Sequence, residues 1–249
     1  MDVFELMLLP FLACLILTGI HAYLGLHVVE RGVIFVDLAL AQVAALGATL
    51  GAAWGFGLHS TQGYATALGF TILGSAVLAL TRLRKQVVPQ EALIGVVYAV
   101  ASAGTILLLS RVAEGGEELK NLLVGHLLLV EQSEIVKVSV LYGAIAVVHY
   151  LARERFLLIS QDPQSAAHQG IPVRWWDFLF YSTFGVVVTS SVEMAGVLVV
   201  FSFLIVPALC GVLLAKTIRG RLLIGWLVGT LTSMAGIAGS YYWDLPTGA

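Results

Sequence analysis

Long apolar runs separated by short polar stretches dominate the chain. Eight of these runs have about the length that a helix needs to cross a bilayer, roughly 17 to 25 residues. They cover residues 4–25, 33–55, 63–81, 90–110, 134–152, 175–191, 195–215 and 222–242. A further apolar segment, 119–130, is short for a crossing and favours a re-entrant or interfacial piece. The pattern predicts an all-α membrane protein, a polytopic bundle of about eight transmembrane helices.

Composition supports this prediction and excludes other classes. The chain has 249 residues, of which 59% are hydrophobic and 11% charged, and its mean hydropathy is +0.95. Soluble domains carry roughly a quarter charged residues. No polar stretch is long enough for a soluble domain, so we expect one transmembrane domain over residues 1–249, embedded in the lipid bilayer. The net charge of -2 argues against a nucleic-acid partner.

The basic residues predict the orientation of the spans. With the amino terminus outside and eight crossings, ten of the thirteen basic residues fall in inner loops. These ten are Arg31, Arg82, Arg84, Lys85, Arg153, Arg155, Arg174, Lys216, Arg219 and Arg221. The first residues lack a cationic start, so we expect the first span to be retained and not cleaved as a signal. We expect a multi-pass protein of the inner, cytoplasmic membrane.

The longest inner loop, residues 153–174, contains signals for a short helix. The helix can extend from Gln164 to Gln169, and residues on both sides of this stretch favour its start and its end. Asp162 suits the N-cap and Pro163 the first helical position, while Gly170 suits a left-handed C-terminal cap and Pro172 prevents continuation. Such a helix is either a docking element for a partner or a connector on the membrane.

Three glycines at four-residue spacing, Gly47, Gly51 and Gly55, follow each other in the second span. A stripe of this kind allows another helix to approach closely. The pair Gly225 and Gly229 has the same spacing in the last span. Both stripes predict close helix contacts, within one copy of the chain or between two copies.

The second span also contains polar residues that membrane spans rarely hold. Asp37 lies in its first turns, where the helix N-terminus favours an anion, and it has either a structural role near Arg31 or a place in a translocation path. Gln42 lies near mid-depth and shares a helix face with Ala45 and Thr49. These residues either line the path or bond a neighbouring helix.

Other polar candidates are weaker. Glu193 lies between two spans and is either a solvated loop charge or a ligand at the outer mouth of the path. His126, in the short apolar segment, is interfacial or faces the path. We expect His27, His59 and His168 at the surface, and His21 and His149 at span ends. No histidine, cysteine and carboxylate set has the spacing of a closed metal site, so the metal ligands stay unknown.

Five segments, in chain order, resemble the permease subunit of metal-ion ABC importers, the zinc/manganese/iron group. They are RGVIFVDLALAQVAALGATLG (31–51), EALIGVVYAVASAGTILLLS (91–110), LKNLLVGHLLLVEQSEI (119–135), the loop 162–173 and MAGVLVVFSFLIVPALCGVLLA (194–215). The last is the most specific. The match runs over nearly the whole length of the chain in this order.

The resemblance implies a helical importer fold of the vitamin-B12-transporter type. It implies a dimer of permeases, two cytosolic ABC ATPase subunits and an extracytoplasmic metal-binding protein, with a divalent ion (zinc, manganese or iron) as the substrate. The loop that resembles the ATPase-contacting loop contains Asp162, Pro163, Ala166, Ala167, Gly170 and Pro172.

The chain shows no ATPase motif, so we expect no enzymatic activity and no bound cofactor, and a partner subunit would use the ATP. The alternative is a stand-alone proton-coupled secondary metal transporter. Such carriers usually keep carboxylates or histidines deep in their spans, and Asp37 is the one candidate that the sequence offers.

One position departs from the family pattern. Many members have an aspartate and a histidine four residues apart in the second span, on one helix face. In register, these positions are Leu38 and Gln42 here, and Asp37 is displaced by one residue. Asp37 and Gln42 are about 140° apart around a helix. We therefore do not expect strong metal coordination at this point.

Overall fold

A computed structural model describes residues 3–57, 60–82, 88–110, 125 and 127–243. These parts of the chain form nine α-helices and one short 3-10 turn, Leu127–Leu129, and contain no strand. The helices are α1 Val3–Arg31, α2 Val36–Ala53, α3 Thr61–Thr81, α4 Gln90–Leu109, α5 Gln132–Leu151, α6 Arg153–Gln161, α7 Pro163–His168, α8 Val173–Leu214 and α9 Ile218–Trp243.

Seven of these helices are long and apolar enough to cross a membrane. The longest, α8, has 42 residues and is interrupted at Gly196, whose φ of 77° and ψ of 159° are not helical. The helical segments on either side are about 34 and 27 Å long at the usual rise, so each can cross once. The seven helices therefore supply the eight predicted spans. A positive φ of this kind favours glycine, which has no Cβ.

Two predicted boundaries are wrong. The prediction separates the sixth and seventh spans by a loop at 192–194, but α8 stays helical up to Gly196. The first span ends at Arg31 and not near residue 25, and the added turns include the buried residues Leu26, His27 and Val28. Of the short segment 119–130, the structure describes Gly125 and residues 127–130, and His126 lies outside the described residues.

The chain divides into two compact units. Unit 1 comprises residues 1–30, 123–152 and 191–249, and unit 2 comprises 31–122 and 153–190. The expectation of a single membrane domain stays a prediction.

In unit 2, the glycine stripe of α2 packs directly against α3. A Cβ added at Gly47 would lie 2.7 Å from the Cβ of Phe70, and one added at Gly51 would overlap the hydroxyl of Thr66. Gly55 has a different role, since it lies after the helix with a φ of 93° and open space around it. The first two glycines therefore join two helices of the same copy.

In unit 1, the stripe of α9 packs in the same way. A Cβ at Gly229 would overlap Thr18 of α1, and one at Gly225 would lie 3.2 Å from the carbonyl oxygen of Pro207. The contacts of Gly47, Gly51, Gly225 and Gly229 thus lie within one copy, as one of the two expectations had it.

We predict that Gly47→Ala destabilises the protein. The new methyl group has no room between α2 and α3, and overpacking costs about 1–3 kcal/mol. Gly69→Ala on α3 is the matched control, since nothing lies within 4 Å of its Cβ position. Thermal unfolding in detergent measures both. An equal melting temperature for wild type and Gly47→Ala would show that the two helices separate easily.

Candidate functional site

A buried ion cluster lies in unit 2, where three helix ends come together. Asp177, in the first turns of α8, accepts hydrogen bonds from Arg31 Nη1 at 2.7 Å and from Arg82 Nη1 at 2.6 and 2.7 Å. The side chains of Asp177 and Arg31 are 0% and 1% exposed, and that of Arg82 is 17% exposed. Removing one of the three side chains would leave a buried charge without its partner, and such a loss destabilises a protein by about 3–5 kcal/mol.

Arg31 is held from three sides. Its Nε donates to the hydroxyl of Ser160 at 2.9 Å, and its guanidinium lies 3.9 Å from the centre of the Phe180 ring. The planar guanidinium fork suits such simultaneous contacts. The carboxylate that pairs with Arg31 is Asp177, and a structural role for Asp37 near Arg31 stays a prediction.

Asp177 was missed by the sequence analysis. The sequence does contain a feature that could have indicated it. A carboxylate lies in the first turns of an apolar span, in the stretch WWDFLF, and arginines lie at the ends of two other spans. Gln90 and Ser75 support the same region, because Gln90 Nε2 donates to the Tyr181 hydroxyl at 3.1 Å and Ser75 donates to the Tyr181 carbonyl at 2.9 Å. The start of α8 is therefore fixed by polar contacts as well as by packing.

The loop that follows α5 is largely helical. It contains α6, which sequence analysis did not predict, and the predicted short helix α7. In α6, Phe156 and Ile159 are fully buried. The Phe156 ring packs edge-on against Trp176 at 5.4 Å between centroids. Helix α6 is thus attached to the start of α8.

The predicted caps of α7 are present. Asp162 Oδ1 accepts from the backbone N–H of Ser165 at 2.9 Å, and Pro163 is the first helical residue. The hydrogen bonds from the Ser165 hydroxyl and backbone hold the pKa of the Asp162 carboxyl below its ordinary value. The cap is therefore formed at neutral pH and weakens only at acidic pH, where the carboxyl becomes protonated.

The C-terminal end of α7 is a Schellman motif. The N–H of Gly170 donates to Ala167 O at 3.0 Å and the N–H of Ile171 to Ala166 O at 3.1 Å, with φ of 76° at Gly170. Ala166 is fully buried, whereas Ala167, Gly170 and the ring of Pro172 are exposed. The segment therefore presents a firm, exposed turn made of small residues.

Asp37 is 1% exposed at the start of α2. Its oxygens lie near the amides of the first helical turn but make no hydrogen bond of good geometry among the described residues. Glu91 Oε1 accepts a hydrogen bond from the Phe35 amide at 3.0 Å, which joins the starts of α4 and α2.

Gln42 and Thr49 differ in burial. Thr49 is 3% exposed, and its hydroxyl donates to the Ala45 carbonyl of its own helix at 2.7 Å. Gln42 is half-buried. Thr49 therefore has its hydrogen bond inside α2, and Gln42 is the more exposed of the two polar side chains.

Three histidines of unit 1, His21, His27 and His149, are at most 2% exposed. This contradicts the surface position expected for His27, whereas His149 lies in the last turn of α5, at a span end as expected. The rings of His27 and His149 lie edge-on to Tyr23, at 4.8 and 5.6 Å between centroids. His21 donates through Nδ1 to the Leu17 carbonyl at 2.8 Å. His168 is exposed, as expected, and His59 lies outside the described residues.

The remaining predicted site residues do not join a metal site. Glu193 is exposed but lies inside α8, three residues before the Gly196 kink, and not in a loop. His126 is outside the described residues. Within the described parts of the chain, no three histidine, cysteine or carboxylate side chains are grouped so that they could hold a metal ion.

Comparisons with known proteins give a consistent result. The family model "ABC 3 transport family" matches residues 3–249. A manganese transport system membrane protein, MntC of Listeria innocua, is 24% identical over 236 residues, covering 92% of this chain and 80% of that protein. A protein of Haemophilus influenzae named "Probable iron transport system membrane protein" is 24% identical over 230 residues, covering 92% and 79%.

A solved structure shares the fold. PsaBC from Streptococcus pneumoniae in complex with Fab is 19% identical to this chain, with a TM-score of 0.80. The alignment covers 99% of this chain and 86% of the compared chain. The spans, their order and the family match together identify a multi-pass helical membrane protein. The chain belongs to the ABC 3 transport family.

Proposed function

We propose that this chain forms the translocation path of an ATP-driven importer of divalent transition-metal ions. The observation that supports this most is the α6–α7 segment, a capped and exposed turn on the side of the membrane that the basic residues predict to be cytosolic. ATP hydrolysis then takes place in a separate ABC ATPase subunit that docks on this turn.

We further propose manganese as the preferred ion. MntC of Listeria innocua is named for manganese transport, and the accessible polar group on α2 is the amide of Gln42. Carboxylate and carbonyl oxygens suit manganese, while imidazole suits zinc and iron. An oxygen ligand at the family's histidine position therefore favours manganese over zinc. A weak contact also allows the ion to leave, which passage requires.

The proposed assembly contains two copies of this chain, two ATPase subunits and an extracytoplasmic metal-binding protein. Reconstituted vesicles test it: we expect uptake of radioactive manganese that needs ATP and the binding protein, and native mass spectrometry should find two permeases with two ATPases. A complex containing one permease would contradict the dimer. Uptake without ATP would contradict the importer.

The buried histidines of unit 1 favour a second candidate, a proton-coupled metal carrier. His21, His27, His149 and Asp37 are the kinds of residue that such carriers keep within their spans. The same vesicles decide, because a protonophore should abolish uptake by a proton-coupled carrier. It should leave uptake by an ATP-driven importer unchanged.

We predict that Gly170→Val reduces coupling of ATP hydrolysis to transport. Valine at a φ of 76° costs roughly 1 kcal/mol or more, which opens the C-terminal cap of α7. Uptake per ATP hydrolysed measures the effect. Gly143→Val is the control, since Gly143 lies on an exposed face of α5 with open space around it.

The docking position itself is tested by photo-crosslinking. A photoreactive residue at the exposed Ala167 should capture the ATPase in the assembled complex. Thr217, also exposed and in another inner loop, serves for comparison. Capture from position 217 but not from 167 would place the ATPase elsewhere.

We predict that Gln42→His changes ion preference. An imidazole nitrogen replaces the amide at a half-buried position of α2, so the zinc-to-manganese uptake ratio should rise about threefold or more, or release should slow. Gln42→Leu, which removes the ligand, should lower uptake without loss of assembly. If both variants lower the melting temperature and leave the ion preference unchanged, Gln42 only bonds a neighbouring helix.

A further inference from the structure

We propose that Arg31, Arg82 and Asp177, acting through Ser160, are positioning residues that transmit movement of the docking segment (residues 153–172) to the spans. This inference rests on the proposed function, in which an ATPase docks on that segment. The four residues form one connected set of hydrogen bonds within unit 2.

The first reason is that the cluster is stiff. Asp177 is fully buried and accepts from two guanidinium groups at 2.6 to 2.7 Å. Charge-assisted bonds of this length are stronger than neutral ones, and separating them in a buried place leaves unpaired charges. An exposed ion pair could exchange its partners for water, whereas this one holds the end of α3 against the start of α8.

The second reason is that Arg31 joins the cluster to the docking segment. One nitrogen of its guanidinium bonds Asp177 and another bonds Ser160 on α6. Because the guanidinium is planar and rigid, it fixes the direction of the bond to Ser160 relative to the bond to Asp177. A lysine has one compact charge at this place and cannot reproduce the fork.

The third reason is the position of Ser160 within the segment. It lies two residues before Asp162, the N-cap of α7. Its hydroxyl donates to the Phe156 carbonyl at 2.8 Å, and the Phe156 ring packs against Trp176 and Phe180 of α8. A push on α7 therefore reaches α8 through both the aromatic contacts and the arginine.

Two mild variants separate this role from general stability. Arg31→Lys keeps the charge beside Asp177 but loses the bridge, and Ser160→Ala removes the acceptor of the bridge and leaves all three charges in place. Ser160→Thr keeps the hydroxyl. Glu30→Gln is the matched control, because it breaks the neighbouring, partly exposed ion pair with Arg221.

The experiment uses the permease–ATPase complex, purified through a tag on this chain and placed in vesicles with radioactive manganese. We measure uptake per ATP hydrolysed, the amount of ATPase that copurifies, and hydrogen exchange of residues 153–170. For Arg31→Lys and Ser160→Ala we expect at least about a threefold fall in uptake per ATP and faster exchange, with normal ATPase content. Ser160→Thr and Glu30→Gln should behave like the wild type.

The outcomes are distinguishable. Unchanged uptake per ATP in both variants, while the wild type is coupled, overturns this inference and leaves the proposed function intact. Loss of copurified ATPase, or an equal loss of coupling in Glu30→Gln, also overturns it, since the cluster would then serve assembly or general stability. A wild-type chain that binds no ATPase and moves no manganese refutes the proposed function itself.

Discussion

Burial of the Asp177 carboxylate is the constraint on which the arrangement of unit 2 around the start of α8 depends. A carboxylate that is 0% exposed needs counter-charges, and two arginines from different parts of the chain provide them. Arg31 is the last residue of α1, and Arg82 follows directly after α3. Three helix ends are thereby fixed at one point, to which α6 is joined by Ser160.

The sequence predicts the spans well because hydropathy depends on local composition. The caps of α7 were also predictable, since Asp162, Pro163 and Gly170 act on adjacent backbone. The partner of Asp177 was not predictable in this way. Arg31 is 146 residues away along the chain, and no local pattern says which of the inner arginines reaches the carboxylate.

The positions of the histidines were also hard to predict, because they depend on where a helix ends. His27 was expected at the surface because the first span was predicted to end near residue 25. Since α1 continues to Arg31, His27 lies inside the helix and packs against Tyr23. An error of six residues at one boundary thus moved a titratable side chain from solvent into a buried cluster. Glu193 was misplaced for a similar reason, because a kink at Gly196 replaces the expected loop.

Helix α2 is more buried than the other spans of its unit, and this limits which of its side chains an ion could contact. In its span 61% of the residues are buried, against 22% in α4 and 28% in α5. Gly47 and Gly51 contact α3, and Thr49 bonds its own helix, so Gln42 on a half-buried face is the group that we propose for contact with a substrate. A half-buried amide beside lipid is unfavourable unless protein or water covers it. A second copy that covers this face would meet the requirement and enclose a path at the same time, which is why the proposed dimer and the proposed role of Gln42 depend on each other.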